Sequence, residues 1–93
     1  MKVAAQFAVC YDISHDNERA RVDKLLKGYG FRVQKSVFEC RLTRSGKTAM
    51  VESLQRLHLK SGSVKIYRIY GGSEAVVVGQ PMAEPDAGFA YTL

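Results

Sequence analysis

The stretch AVCYDISHDNERARV, residues 8 to 22, gathers most of the side chains whose chemistry could go beyond packing. Asp12 follows Tyr11 where an apolar run ought to end, His15 and Asp16 come next, and Arg19 and Arg21 follow. A carboxylate at such a boundary commonly makes an Asx-type cap that begins the loop into a helix. His15 could carry a proton near neutral pH, although an exposed loop histidine is the commoner case. Arg19 and Arg21 diverge on a helix because they are two apart, so at most one lies beside Asp12 while the other faces solvent or an acid such as Asp23. Two other stretches resemble sites and fail. SGKT at 45 to 48 would need a glycine at 41 to be a phosphate-binding loop, and Arg41 stands there. GYG at 28 to 30 lacks the third glycine of a dinucleotide fingerprint and follows a helix instead of a strand. Cys10 and Cys40 have no partners at metal-ligand spacing and read as buried, reduced thiols.

Composition bounds the function these residues can serve. The chain has 93 residues, enough for one compact domain that association with a second copy would help to bury. Its 46% hydrophobic and 25% charged content is that of a folding globular chain. A net charge of +5 favours a polyanionic partner, since lysine and arginine release counterions when they neutralise phosphates. Arg19, Arg21, Lys24, Lys27, Arg32, Lys35, Arg41, Arg44 and Lys47 outnumber the acids of the first half, and such a surface contacts nucleic-acid backbone instead of reading bases. A membrane partner is disfavoured: there is no basic amphipathic helix with a wide aromatic face, and no apolar run approaches the ~20 residues that span a bilayer. MKVAAQFAVCYDI makes a poor signal peptide, so the expected location is cytoplasmic.

The positioning elements follow from periodicity. FAVCYDI, 7 to 13, is nearly continuous in apolarity and predicts a central strand. In 16 to 27, Val22, Leu25 and Leu26, and then Tyr29 just beyond, share one helical face, with Asp16 or Ser14 as N-cap and Gly28 or Gly30 as stop. FRVQKSVFECRL, 31 to 42, reads as a second strand, and a second helix runs from Thr43 or Ser45 through Met50, Val51, Leu54 and Leu57 towards the KSGS turn. VKIYRIY, 64 to 70, and EAVVVG, 74 to 79, complete the strands. The predicted class is α+β: a ferredoxin-like sandwich over residues 1 to 80, its antiparallel sheet carrying two helices on one face, with the order β-α-β-α-β-β. Residues 81 to 93 form a tail that is either a frayed end or a strand added to another subunit.

Alternation along 31 to 42 assigns Phe31, Val33 and Val37 to the helix-covered side and Arg32, Gln34, Ser36 and Phe38 to the other. On the first strand Asp12 shares its side with Ala8 and Cys10, small residues that let a second copy approach. A two-fold dimer packed through that open face makes one aspartate per chain into a pair.

YDIS closing the first strand, the arginines of ERARV, LLKGYGFRVQKSVFEC and the later SVKIYRI together resemble the CRISPR-associated Cas2 family over residues 7 to 79, GYGFRVQKSVFE being the most specific part. The resemblance implies a ferredoxin-like homodimer whose first-strand aspartates face each other across the two-fold axis and hold a divalent metal. It also implies a partnership with the Cas1 integrase, two dimers of which the small dimer bridges beneath the duplex DNA that becomes a spacer. Several members are described as metal-dependent nucleases of single-stranded RNA or double-stranded DNA. On this basis Asp12 is the metal ligand with Tyr11 as its orienting neighbour, Arg19, Arg21 and Arg32 are phosphate contacts, joined by Arg44 from the basic set, and Phe38 walls the site. Paired carboxylates repel unless a cation offsets them, and Mg²⁺ at the dimer interface is the natural occupant.

Two function classes remain. The first is an Mg²⁺-dependent endonuclease acting on RNA or DNA. The second is an adaptor for duplex DNA and the integrase without chemistry of its own, favoured by the scarcity of carboxylates near Asp12, where only Asp16 and Glu39 are candidates. A toxin-type ribonuclease of the same fold is a more distant alternative.

Overall fold

The computed structural model describes residues 3 to 71 and 76 to 80. Six elements succeed one another: β1 (Ala5–Ile13), α1 (Asp16–Leu26), β2 (Gly30–Gln34), β3 (Val37–Leu42), α2 (Arg44–Gln55) and β4 (Gly62–Ile69). The order is β-α-β-β-α-β, the split ferredoxin-like pattern, and the sheet runs β2-β3-β1-β4 with every neighbouring pair antiparallel. The α+β sandwich is therefore as read from the sequence, but the strand order is not. Residues 31 to 42 hold two strands instead of one, joined at Lys35 and Ser36, and a register shift lies between Arg32 and Gln34. Val76 to Gly79, expected in a last strand, are not in a strand, and residues 72 to 75 and the tail 81 to 93 lie outside the described residues.

β1 is central, and its burial alternates: Phe7, Val9, Tyr11 and Ile13 are buried while the residues between them are not. The buried set meets Val22 and Leu26 of α1, Met50 and Leu54 of α2, and Phe38, Cys40 and Leu42 of β3 in one core. This alternation puts both helices on one face of the sheet and leaves the other open.

Local chemistry sets the helix ends. Thr43 caps α2, its Oγ1 accepting from the Gly46 amide at 3.1 Å. His15, not Ser14 or Asp16, is the N-cap residue of α1, and its side chain makes no capping bond. Ser14 binds elsewhere, its Oγ donating to the Ser61 carbonyl at 3.2 Å. At Gly62, opposite Ile13, a Cβ would overlap the Asp12 carbonyl, so glycine lets β4 close against the end of β1.

Candidate active site at the end of the first strand

Asp12 is the next-to-last residue of β1 and pairs with Ser63 of β4. It is exposed on the open face of the sheet, and among the described residues its carboxylate makes no hydrogen bond or ion pair. Ala8 and Cys10, half-buried, share its side of β1. Strand pairing puts Tyr67 beside Ala8, Lys65 beside Cys10, and Val37 and Glu39 of β3 across from Cys10 and Ala8. Residues paired across a ladder share a face. The open face therefore carries small residues only along β1, flanked by Val37, Glu39, Lys65 and Tyr67, with Asp12 at one end.

The same pairing removes two residues from this face. Phe38 pairs with Val9 and is 0% exposed in the core beneath the helices, so it cannot wall a site at Asp12. Arg32 pairs with Phe38, holds its guanidinium 5.6 Å from that ring and makes an ion pair with Asp23 of α1, whose carboxylate also receives Lys27 Nζ at 3.1 Å. Most of the faces assigned to residues 31 to 42 are thus inverted: Phe31 and Val37 lie on the side of Asp12, as Gln34 does, while Arg32 and Phe38 face the helices. The cause is the parity of β3, set by Val9–Phe38 pairing and invisible without the β2–β3 turn.

Tyr11 lies on the face opposite Asp12. Its ring packs 6.4 Å from that of Phe38, and its hydroxyl donates to the Lys35 carbonyl at 3.4 Å. Its backbone amide donates to the Ser36 carbonyl at 3.0 Å, so Tyr11 ties the β2–β3 turn to the strand that carries Asp12. Arg19 reaches the end of β1, but for a structural purpose: Nη1 donates to the carbonyls of Ile13 at 2.9 Å and Ser14 at 3.0 Å, and Nη2 pairs with Asp16. Arg21 and Arg44 are exposed. Cys10 and Cys40 are free thiols on opposite faces, and burial pushes Cys40 up to about 11 with a smaller contribution from Glu39.

One acid at this end of the sheet escaped sequence reasoning. Glu18 is buried, accepting at Oε1 from the Ser61 amide at 3.0 Å and hydroxyl at 2.5 Å, and at Oε2 from the Lys60 amide at 2.9 Å. The Ser61 hydroxyl donation, then the Lys60 amide, hold its carboxyl below the usual range against the opposing effect of burial. No local pattern marks it, because its partners are 42 and 43 residues away.

Among the described residues no three His, Cys, Asp or Glu side chains are gathered closely enough to hold a metal ion. Asp12 brings a single free carboxylate to this end of the sheet. That suits Mg²⁺, which binds through one or two carboxylates and keeps waters and phosphate oxygens for its other positions.

Residues 6 to 75 match the family model for CRISPR associated protein Cas2. The chain belongs to the Cas2 family. The matched span takes in both helices and nearly all of the four strands. Among Cas2 relatives, one from Mycobacterium tuberculosis named as an endoribonuclease is 36% identical over 77% of this chain. The chain spans 64% of that relative's length. A second, from Thermus thermophilus and named as an endonuclease, is 41% identical, covering 84% of this chain and 87% of its own. A crystal structure of Cas2 superposes with a TM-score of 0.74 at 32% identity, covering 89% of this chain and 95% of that one. A chain of a partial Cas6-RT-Cas1–Cas2 complex superposes at 0.65 and 26% identity, covering 96% and 99%. No helix among the described residues is long and apolar enough to cross a membrane.

Proposed function

We propose that this chain acts in the cytoplasm as a homodimeric subunit of CRISPR adaptation that holds the backbone of duplex DNA and bridges the Cas1 integrase. In this reading its paired Asp12 carboxylates bind Mg²⁺ for phosphodiester hydrolysis in RNA or DNA. Family membership and the Cas1–Cas2 complex among its structural neighbours support the adaptation role, and the endoribonuclease and endonuclease names of its relatives support the hydrolytic one. The observation that carries the site is the Asp12 carboxylate, exposed and unpartnered among the described residues at the end of β1, beyond the small residues Ala8 and Cys10.

The chain's own residues divide the work. Asp12 of each copy supplies the cation ligands, and the exposed guanidiniums of Arg21 and Arg44, carried by the helices, take phosphates elsewhere along the duplex. Arg19 holds the backbone just beyond Asp12, and Tyr11 braces β1 from the core. Arg32 and Phe38 stabilise the edge of the fold through Asp23. Mg²⁺ bound there would supply an activated water and offset the charge developing on the phosphodiester.

A second reading, an adaptor without catalysis, is favoured by the single carboxylate each chain brings to the site. One experiment separates the two. Purified wild type and Asp12→Asn are incubated with short duplex DNA and single-stranded RNA, with and without Mg²⁺, from neutral to alkaline pH, and their dimerisation is followed by sedimentation. Cleavage that requires Mg²⁺ and falls at least ~100-fold in a variant that still dimerises establishes the nuclease. Equal cleavage by both removes Asp12 from the chemistry. No cleavage by either, with intact binding to duplex DNA and integrase, leaves the adaptor.

A further inference from the structure

Resting on the reading of Asp12 given above, we infer that Glu18 is a positioning residue for that carboxylate, acting through Ser61. The inference comes from a chain of hydrogen bonds. Ser61, the residue before β4, is gripped from one side by Glu18, which takes both its amide and its hydroxyl. From the other side it holds the chain just beyond Asp12: its carbonyl accepts from the Ser14 amide at 3.1 Å and the Ser14 hydroxyl at 3.2 Å, and its Oγ accepts from the His15 amide at 3.1 Å.

Glu18 and Arg19 are consecutive in the first turns of α1, and they act on the same segment. Arg19 binds the carbonyls of Ile13 and Ser14, while Glu18, through Ser61, fixes the amides of Ser14 and His15. Both the donors and the acceptors of the backbone after Asp12 are thereby engaged. A buried carboxylate is costly unless its oxygens are satisfied, and here three donors satisfy them. The same bonds draw the α2–β4 connection onto the end of β1, where Gly62 and Ser63 pair with Ile13 and Asp12. Asp12 itself touches none of this, so its direction is set without its carboxylate being consumed.

The test compares wild type, Glu18→Gln, Ser61→Ala and Asp12→Asn as full-length chains. Amide hydrogen exchange of Ser14 and His15 is read against that of Val9 and Phe38. The expected result is exchange at Ser14 and His15 at least ~10-fold faster in Glu18→Gln, with Val9 and Phe38 unchanged. Steady-state cleavage, where wild type cleaves, should show kcat reduced ~10-fold at unchanged KM in Glu18→Gln, and no further loss when that change is added to Asp12→Asn. Unchanged exchange at Ser14 and His15, or unchanged kcat in an active enzyme, overturns the assignment. If wild type cleaves nothing, the nuclease reading falls by itself, and the exchange measurement still decides whether Glu18 fixes this segment. Should Glu18→Gln fail to fold, Ser61→Ala removes the hydroxyl that links Glu18 to His15 and carries the expectations for His15 exchange and for kcat.

Discussion

Residue by residue, titration and reactivity divide along the two faces of β1. Cys40 faces the core with its thiol pushed up to about 11, so at pH 8 only about one molecule in a thousand is thiolate there. Iodoacetamide at pH 8 should leave Cys40 unmodified for hours in the native protein and label it within minutes in urea, as read by peptide mass spectrometry. A second prediction concerns Glu18. Its folded pKa lies below the ordinary value of 4.5, so the unfolded chain takes up its proton first as pH falls. Its contribution to stability is complete above that value and is lost as pH drops through the lower folded one. Urea midpoints measured from pH 6 down to pH 3 should fall for wild type and fall less steeply for Glu18→Gln. Asp12 is legible from its place after an apolar run. Glu18 is not, because what makes it special is a partner on the far side of the sequence. Phe38 and Arg32 fall on the wrong face for a related reason, since alternation groups residues by side while only the distant pairing of Phe38 with Val9 decides which side meets the helices.

The elements differ in how openly their ends are written. Both helices announce themselves through apolar spacing, and Thr43 is a cap of the expected type for α2. Thr43→Ala should cost about 1 kcal/mol in urea unfolding with little change in the m-value, whereas Ser45→Ala should cost much less. The run from 31 to 42 conceals its turn because Lys35 and Ser36 stand where a hairpin signal would ordinarily place Asn-Gly or Asp-Gly. Tertiary bonds supply what that turn's own sequence lacks, since Tyr11 reaches the carbonyl of Lys35 with its hydroxyl and that of Ser36 with its amide. One missed turn changes the strand count of that segment and transposes the topology, although the fold class survives.

At the scale of the whole molecule, the proposed dimer would bring twice the chain's net charge of +5 to the proposed duplex. Arg21 and Arg44 lie outside the core on different helices, while Arg19 and Arg32 are committed to bonds within the fold. Reversing Arg21 and Arg44 to Glu together should weaken duplex binding and lower the slope of log K against log salt by about 2 to 4, for the loss of up to four contacts in a dimer. An Arg19→Glu protein should instead lose stability, seen as a lower Tm, because it abandons two carbonyls.

The central place of β1 also bears on the order of synthesis. Its neighbours in the sheet are β3 and β4, and the register joins Asp12 to Ser63, so β1 is completed by β4, the last of the described strands to be made. A nascent chain that ends before residue 62 has both helices and three strands but an open side on β1, and neither Gly62 nor Ser63 beside Ile13 and Asp12. Contacts so far apart in sequence form late in folding. The aspartate on which the proposed chemistry depends is thus made well before the residues that set it in place, and a product truncated before residue 62 would carry it unfixed.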